Sequence, residues 1–390
     1  MATLQYPRCA DEAQYRRSFA ICLILVAGLI LTAATPGVAA PPHKIGLNGL
    51  VVKDALGGQI LGFDIDQNGT EGLLSEYVAL GNGENNIATE TFDQKTGKII
   101  KILKEINNTY DTFATYGVVG TNVGLDQFDR THSIYQGKVS YDLLNPLDGN
   151  EINGNWTPPL TKHDVLWSVS ENQGQPTTAV LAFKNSDNGN DTALVFGSDI
   201  ANNTFGPGVK LTDSVFNLNA GPVMAFDSAT NQAIVAASLG CYDCLPTLAL
   251  VDVVKGTTTE FTGVGFGFVD GIAVDSADGI VCTASDDFSL EFYNLATQSG
   301  FEVTLENATS PAQSGEDIEF DPINKLFLVQ QYITSTGASG SSIQVYDTQG
   351  NYVESINDLS LPASDSLIAL QPSKRIGFLY GLTELVSFNY

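Results

Sequence analysis

The feature that most constrains the fold is a repeated unit of two apolar runs joined by a turn rich in aspartate. The clearest copy is Phe268–Ser285, in which Gly271–Val274 and Ile280–Ala284 flank the turn Asp275–Gly279. Alternating apolar runs around such a turn are typical of two antiparallel strands. Further copies recur at intervals of roughly 46–50 residues, beginning at Gly221, Gly315 and Ser364. One unit cannot bury its own faces, so the repetition predicts small sheets packed around a common axis.

Weaker copies extend the array towards the N-terminus and bring the count to seven units. The first contains Gln59–Asp64, Gly72–Ser75 and the hairpin Thr89–Ile102, whose Asp-Gln-Lys-Thr-Gly turn is a strong hairpin signal. The second is irregular and is expected to begin near Asp111–Tyr116, with Lys138–Asp142 as a later strand. The third is predicted from the apolar runs Asp164–Val169, Ala179–Phe183 and Thr192–Phe196.

The two ends of the array predict how it closes. The last unit ends on a third strand, Leu385–Tyr390, with no fourth strand after it, while an orphan strand, Ile45–Val52, precedes the first unit. Pairing these two would complete the last sheet and remove open edges. We therefore predict an all-β fold, a seven-bladed β-propeller with a three-plus-one closing blade. Six or eight blades remain alternatives because the second unit is irregular.

The first forty residues resemble an export signal rather than part of the fold. Arg16 and Arg17 precede an apolar run, Phe19–Leu31, and small residues around Val38–Ala40 supply a cleavage site. The run is short for a membrane span. We predict a signal peptide over residues 1–40 and a propeller domain over 41–390, secreted or periplasmic, with no stable membrane span after cleavage. An uncleaved anchor is the alternative.

Charge and cysteine content narrow the classes of partner. The 390 residues include 18 Lys and Arg against 44 Asp and Glu, a net charge of −26, which disfavours a nucleic-acid partner. An acidic surface suits cations, or it keeps an exported protein soluble. Cys241 and Cys244 are expected to form a disulfide in an oxidising compartment, with Cys282 buried in a strand. A redox role is disfavoured because the pair does not precede a helix.

The recurring pattern Phe/Val-Asp-x-x-x-Asn/Asp-x-apolar resembles secreted propellers of the lactonase-like, gluconolactonase-like and NHL or YVTN types. The resemblance covers most of residues 45–390 and implies the propeller fold. In gluconolactonase-like propellers, acidic and asparagine side chains at the channel mouth hold a divalent ion that polarises an ester or lactone carbonyl. The segment Val269-Asp270-Gly271 resembles the Asp-Gly element of that site.

Acidic residues recur where the chain enters the first strand of each unit, at the expected channel mouth. They are Asp111, Asp164, Asp270, Glu316, Asp317 and Asp365. Converging carboxylates repel one another unless a cation or protons intervene, so they predict a ligand-binding site and suggest Ca²⁺ as the ion. The alternative is that each carboxylate accepts hydrogen bonds from the backbone of a neighbouring blade.

A second candidate metal site lies in the first unit. Asp64, Asp66 and Asn68 follow the Asp-x-Asp-x-Asn-Gly spacing of calcium-binding loops. The match lacks the later acidic ligand, and an Asn-Gly turn that closes a hairpin explains the same residues without metal. Both interpretations stay open from the sequence alone.

Three functions are compatible with these residues. The first is a secreted module that binds a protein or small-molecule ligand through its channel-mouth face, because no recognisable catalytic set occurs. The second is a Ca²⁺-dependent lactone or ester hydrolase, in which the acids, including Asp270, hold the metal and His163 or a carboxylate activates water. The third is a structural or cell-surface propeller stabilised by Ca²⁺ at the Asp64 loop.

Overall fold

The computed structural model describes twenty segments between residues 45 and 390. They are 45–53, 55–65, 70–80, 85–109, 117–120, 125–129, 140–144, 164–171, 178–185, 192–199, 204–206, 208–211, 222–237, 247–262, 269–285, 289–306, 315–335, 338–358, 368–381 and 384–390. Several predictions lie outside them: the signal peptide, the Cys241–Cys244 disulfide, and the roles of Asp66, Asn68, Asp111, His163 and Asp365. These stay predictions.

The described residues are almost entirely β-strands, which form seven antiparallel sheets. Strand β1 (Gly46–Lys53) belongs to the last sheet. Sheet 1 contains β2 (Gln59–Ile65), β3 (Glu71–Ala79), β4 (Asn85–Asp93) and β5 (Ile99–Thr109). Sheet 2 contains β6 (Gly117–Gly120), β7 (Leu125–Asp129) and β8 (Ser140–Leu144). Sheet 3 contains β9 (Asp164–Glu171), β10 (Thr178–Asn185), β11 (Thr192–Asp199), β12 (Thr204–Phe205) and β13 (Val209–Leu211).

The C-terminal half repeats the four-stranded pattern most regularly. Sheet 4 contains β14 (Pro222–Asp227), β15 (Gln232–Ala237), β16 (Thr247–Asp252) and β17 (Thr257–Thr262). Sheet 5 contains β18 (Val269–Asp275), β19 (Ile280–Ser285), β20 (Ser289–Asn294) and β21 (Ser299–Thr304). Sheet 6 contains β22 (Gly315–Asp321), β23 (Leu326–Ser335), β24 (Ala338–Asp347) and β25 (Tyr352–Asp358). Sheet 7 contains β26 (Ile368–Gln371), β27 (Ile376–Gly381) and β28 (Glu384–Asn389), with β1 at its edge.

The first strands of the sheets, here called inner strands, form a closed circuit. They are β2, β6, β9, β14, β18, β22 and β26; each contacts the next, and β26 contacts β2. The predicted hairpins of sheets 4 to 7 and of sheet 1 are confirmed. In sheet 2 the predicted first strand, Asp111–Tyr116, lies outside the described residues, and the first described strand is Gly117–Gly120.

The closing sheet has the predicted three-plus-one arrangement. Strand β1 pairs antiparallel with β28, from Gly46 opposite Asn389 to Lys53 opposite Glu384. The buried hydroxyl of Tyr380 donates a 2.6 Å hydrogen bond to the carbonyl oxygen of Ile60 and so joins sheet 7 to sheet 1. Strand β1 therefore completes the last sheet, and sheet 7 in turn contacts sheet 1 to close the circuit.

Apolar side chains pack between consecutive sheets rather than in one central core. Sheets 7 and 1 share a cluster that includes Val52, Ile60, Phe92, Phe378 and Leu385, all fully buried. The Phe92 and Phe378 rings meet edge to face at 5.8 Å. Each buried side chain of this size contributes about 1.5–3 kcal/mol by leaving water. Sheets 3 and 4, 4 and 5, 5 and 6, and 6 and 7 share similar clusters.

The recurring aspartates build the tight turns that the sequence predicts. Oδ1 of Asp321 accepts hydrogen bonds from the backbone N–H groups of Ile323 and Asn324, both at 2.8 Å. Oδ1 of Asp93 likewise accepts from the N–H of Thr96 at 2.7 Å. The same arrangement recurs at Asp227, Asp252, Asp275, Asn294 and Asp347. Turn formation therefore explains the aspartates of the repeated motif without a ligand.

Two further expectations concern membranes and thiols. None of the helices in the part of the chain that the structure describes is long and apolar enough to cross a bilayer. Cys282 lies in β19, is fully buried and is a free thiol, which confirms its predicted place in a strand. Burial raises the pKa of the Cys282 thiol well above its ordinary value, so this cysteine packs as a small apolar residue.

Candidate functional site

The candidate site is the channel end at which the inner strands begin. Three inner strands carry a β-bulge close to this end, at Leu61 in β2, Asp270 in β18 and Glu316 in β22. A bulge inserts one extra residue and redirects the side chains around it. Two of the predicted mouth acids, Asp270 and Glu316, are therefore the bulged residues of their strands.

Asp317 ties two inner strands together. Its Oδ2 atom accepts a 2.8 Å hydrogen bond from the backbone N–H of Ile368, the first residue of β26. On its other side, Gly271 of β18 approaches so closely that an added Cβ would lie 2.8 Å from the Asp317 Cα. For Asp317, the alternative stated from the sequence is observed: the carboxylate caps the backbone of the neighbouring sheet.

Glu319 is an acidic residue of this site that does not occupy the start of its inner strand, where the sequence predicts the mouth acids. It lies two residues after Asp317 in β22, is half-buried, and shares its strand face with Asp317 and Asp321. Both flanking carboxylates bond to sheet 7, Asp317 through Ile368 and Asp321 through the hydroxyl of Tyr390 at 2.9 Å. The alternation Asp-Ile-Glu-Phe-Asp in residues 317–321 was the available signal, because period two places all three acids on one face.

Carboxylates from two separate sheets act on Glu319. Burial, followed by the negative charges of Asp317 and Asp64, raises the pKa of Glu319 well above its ordinary value, although the backbone N–H of Phe320 opposes the shift. Asp64 lies in β2 of sheet 1, and sheet 7 separates that sheet from sheet 6. Asp64 therefore acts on Glu319 from an inner strand that is not the immediate neighbour of β22.

Asp64 and Asp270 lie inside inner strands, whereas metal ligands of the predicted kind would lie in loops. Asp64 lies inside β2 and is half-buried, and its Oδ1 accepts a 2.7 Å hydrogen bond from the N–H of Ile65. Asp270 is half-buried and interacts with neighbouring groups. Asp164 is the first residue of β9. The charges of Asp64 and Asp317 thus both act on Glu319, and Asp270 lies on β18, the inner strand next to β22.

The calcium sites predicted from the sequence stay predictions. Within the described segments, no three His, Cys, Asp or Glu side chains are grouped so that they could hold a metal ion. Asp66 and Asn68 of the first candidate loop, and Asp111 and Asp365 of the mouth, lie outside those segments. Carboxylate oxygens remain the donors that Ca²⁺ prefers.

Comparison with known proteins identifies the fold. No protein-family profile and no curated protein matches the chain. Among solved structures, a chain of the "Crystal Structure of Mitotic Checkpoint Complex" matches with TM-score 0.57 and 13% identity, covering 100% of this chain and 99% of that one. The Myceliophteria thermophila Cps50 (Swd1) beta-propeller domain matches with TM-score 0.56 and 9% identity, covering 90% of this chain and 100% of the domain. Identities this low show the β-propeller fold alone.

Proposed function

We propose that this protein is a secreted, seven-bladed β-propeller that binds a protein or small-molecule ligand through its acidic channel mouth, and that the ligand carries positive charge. Seven sheets in the described segments and the closed circuit of their inner strands support the blade number. The predicted signal peptide supports export. Propeller ligands commonly sit at the channel mouth, which supports the choice of face.

One observation carries the proposal: Glu319 lies half-buried on the strand face that it shares with Asp317 and Asp321, and its pKa is raised. The protein places this carboxyl where burial and the charges of Asp317 and Asp64 oppose its ionisation. Such a residue lowers the stability of the unliganded fold near neutral pH, a cost that is typical of binding sites. A cationic group in the channel would relieve the repulsion, and this differential interaction is what drives binding.

A calorimetric titration tests this proposal with spermine and with a short lysine-rich peptide as probes. We expect binding to the wild type, weaker binding as salt increases, and at least about tenfold weaker binding to Glu319→Gln. Glu260→Gln is the matched control, because Glu260 is an exposed carboxylate of the outer strand β17. No binding to the wild type, or equal loss in both variants, would contradict a cation site in the channel.

A calcium ion would relieve the same repulsion, so the observation on Glu319 also supports the second candidate, a Ca²⁺-dependent lactone or ester hydrolase. In that case Asp270 and its neighbours would hold the ion, and His163 or a carboxylate would activate water. A thermal melt with EDTA and then with added Ca²⁺ separates the two candidates. A rise of several degrees with Ca²⁺ supports this candidate, and Asp270→Asn should then abolish the rise together with turnover. No rise would contradict both functions that depend on calcium, the hydrolase and the structural propeller stabilised at the Asp64 loop.

A further inference from the structure

The side-chain amide of Gln330 is a buried polar group of which only one half is bonded. Gln330 lies in β23 and is fully buried, and its Nε2 donates a 2.7 Å hydrogen bond to Oγ of Ser341 in β24. Its Oε1 is closed off from solvent and accepts no hydrogen bond from the residues that the structure describes. A buried acceptor without a donor destabilises a fold, so this oxygen requires a donor, and that donor has to be a group of the protein.

The register of sheet 6 places this amide beside two carboxyl groups. Gln330 lies directly opposite Asp317, and Glu319 lies opposite Leu328, the preceding residue of β23 on the same face. Opposed and diagonal side chains on one face have Cβ atoms about 5–8 Å apart, so the long side chains of Gln330 and Glu319 can meet. This face packs against sheet 7, because Asp317 bonds to Ile368 and Leu328 shares a cluster with it.

Glu319 is the better proton donor of the two. Oδ2 of Asp317 accepts a 2.8 Å hydrogen bond from the N–H of Ile368, and such a bond favours the charged carboxylate. At Glu319, burial and the charges of Asp317 and Asp64 outweigh the N–H of Phe320 and raise the pKa well above its ordinary value. Glu319 therefore keeps its proton to a higher pH, and a protonated carboxyl has an O–H to donate.

The ionisable groups around β22 are mostly acidic. In the described elements they are Asp64 of β2, Glu316, Asp317 and Asp321 of β22 itself, Asp270 and Asp275 of β18, Cys282 of β19, Tyr332 of β23, Lys325 in the β22–β23 turn, and Arg375 and Tyr390 beside sheet 7. The two cations bond elsewhere, Lys325 to Asp275 at 2.7 Å and Arg375 to Glu354 at 3.8 Å. The charges that act on Glu319 are those of Asp317 and Asp64.

An exchanged amide is the alternative. If the nitrogen and oxygen of Gln330 changed places, Ser341 would donate to the oxygen and the nitrogen would donate to Asp317, directly opposite. This arrangement needs no proton on Glu319. A protonated Glu319 instead satisfies two groups at once, the buried oxygen of Gln330 and its own hydroxyl.

We propose that Gln330 holds a proton on Glu319, by accepting a hydrogen bond from its protonated carboxyl, and that a cationic ligand displaces this proton when it binds. The displacement rests on the proposed function, which supplies the cation. The proton leaves Glu319 for solvent, and the positive charge of the ligand takes its place beside the carboxylate. Because proton and ligand compete, affinity for the ligand should rise with pH through the pKa of Glu319.

Carboxyl ¹³C NMR of Glu319 without ligand tests the hydrogen bond. Gln330→Met removes the acceptor at similar length, and Gln331→Met is the matched control, because Gln331 is the adjacent buried glutamine on the opposite face of β23. We expect a lower Glu319 pKa in Gln330→Met than in the wild type or the control. An unchanged or higher pKa in Gln330→Met would overturn the bond and favour the exchanged amide. Gln330→Asn, whose amide is too short to reach, replaces Gln330→Met if circular dichroism shows that it does not fold.

Calorimetric titration of the full chain with spermine tests the displacement. It is performed just below the measured pKa of Glu319, in two buffers that differ in ionisation enthalpy. We expect release of about one proton for each spermine bound and at least about twofold tighter binding to Gln330→Met than to the wild type. A merely structural role for Gln330 predicts weaker binding instead.

The outcomes separate this inference from the function on which it rests. Binding without proton release, or weaker binding to Gln330→Met, would overturn the displacement while leaving a cation site in place. No binding to the wild type would overturn the proposed function and the displacement together. The NMR comparison, which uses no ligand, decides the role of Gln330 in either case.

Discussion

Oδ2 of Asp317 lies 2.8 Å from the backbone nitrogen of Ile368 and joins the inner strands of sheets 6 and 7. Replacing Asp317 with Ala leaves a partly buried N–H without this acceptor and should cost about 1–3 kcal/mol in the free energy of unfolding. Asp317→Asn is the control, because it removes the same charge next to Glu319 but keeps an oxygen. In urea denaturation, the Asp317→Asn variant should have a higher free energy of unfolding than Asp317→Ala. Equal stabilities would contradict a role for Asp317 as acceptor of the Ile368 N–H.

Glu319 should make stability depend on pH. Because its pKa is raised in the folded protein, the folded state holds this proton more tightly than the unfolded chain does. The contribution of Glu319 to stability is therefore fully present below the ordinary glutamate pKa of about 4.3. It is lost as pH rises through the pKa of Glu319 in the folded protein. Glu319→Gln should match the wild type at low pH and exceed its melting temperature near neutral pH. A variant no more stable than the wild type at pH 7 would refute the raised pKa.

Gly271 lies at a contact between the inner strands β18 and β22 that leaves no room for a side chain. An added Cβ would lie 2.8 Å from the Asp317 Cα and 2.9 Å from the Ile318 nitrogen, both backbone atoms. Gly271→Ala should push two inner strands apart and cost about 1–3 kcal/mol. Gly279→Ala is the comparison, because its φ of +65° strains alanine but its surroundings are open; about 1 kcal/mol is expected there. A Gly271 variant as stable as the wild type would contradict the close approach.

Tyr390 links the last sheet to sheet 6. Its buried side chain donates a 2.9 Å hydrogen bond to Oδ2 of Asp321, and burial first, then the charge of Asp321, raises the pKa of the phenol. Tyr390→Phe should lower the free energy of unfolding by about 1 kcal/mol. Tyr352→Phe removes an exposed bond to Ser355 and should change stability much less. Equal losses of stability in the two variants would contradict the larger contribution expected of the buried hydrogen bond.

The sequence predicted the features that depend on local pattern. The β18–β19 hairpin and the pairing of β1 with β28 followed from apolar alternation, turn residues and one missing strand. It did not decide whether Asp317 binds a ligand or caps a neighbouring strand, because that depends on where Ile368 lies. The alternation in residues 317–321 places Glu319 on one face with two other acids, but the effect of Asp64, which is distant in the chain, cannot be predicted from the sequence.

The register of β4 and β5 shows the same limit. A regular outer strand would pair with β4 without interruption, and only the structure reveals the bulges at residues 100 and 103. The resemblance to lactonase-like and NHL-type propellers stays a prediction beyond the fold, and the loop ligands of the calcium candidates lie outside the described residues.

The central claim, a channel acid poised for a cationic ligand, is tested most directly by carboxyl ¹³C NMR of Glu319. The Glu319 signal is assigned by its loss in Glu319→Gln, and its titration is followed with and without saturating spermine. The account predicts a pKa above the ordinary value of about 4.3 in the free protein and a lower pKa with spermine, because a nearby cation favours the carboxylate. An ordinary pKa in the free protein, or one that spermine leaves unchanged, would contradict the account.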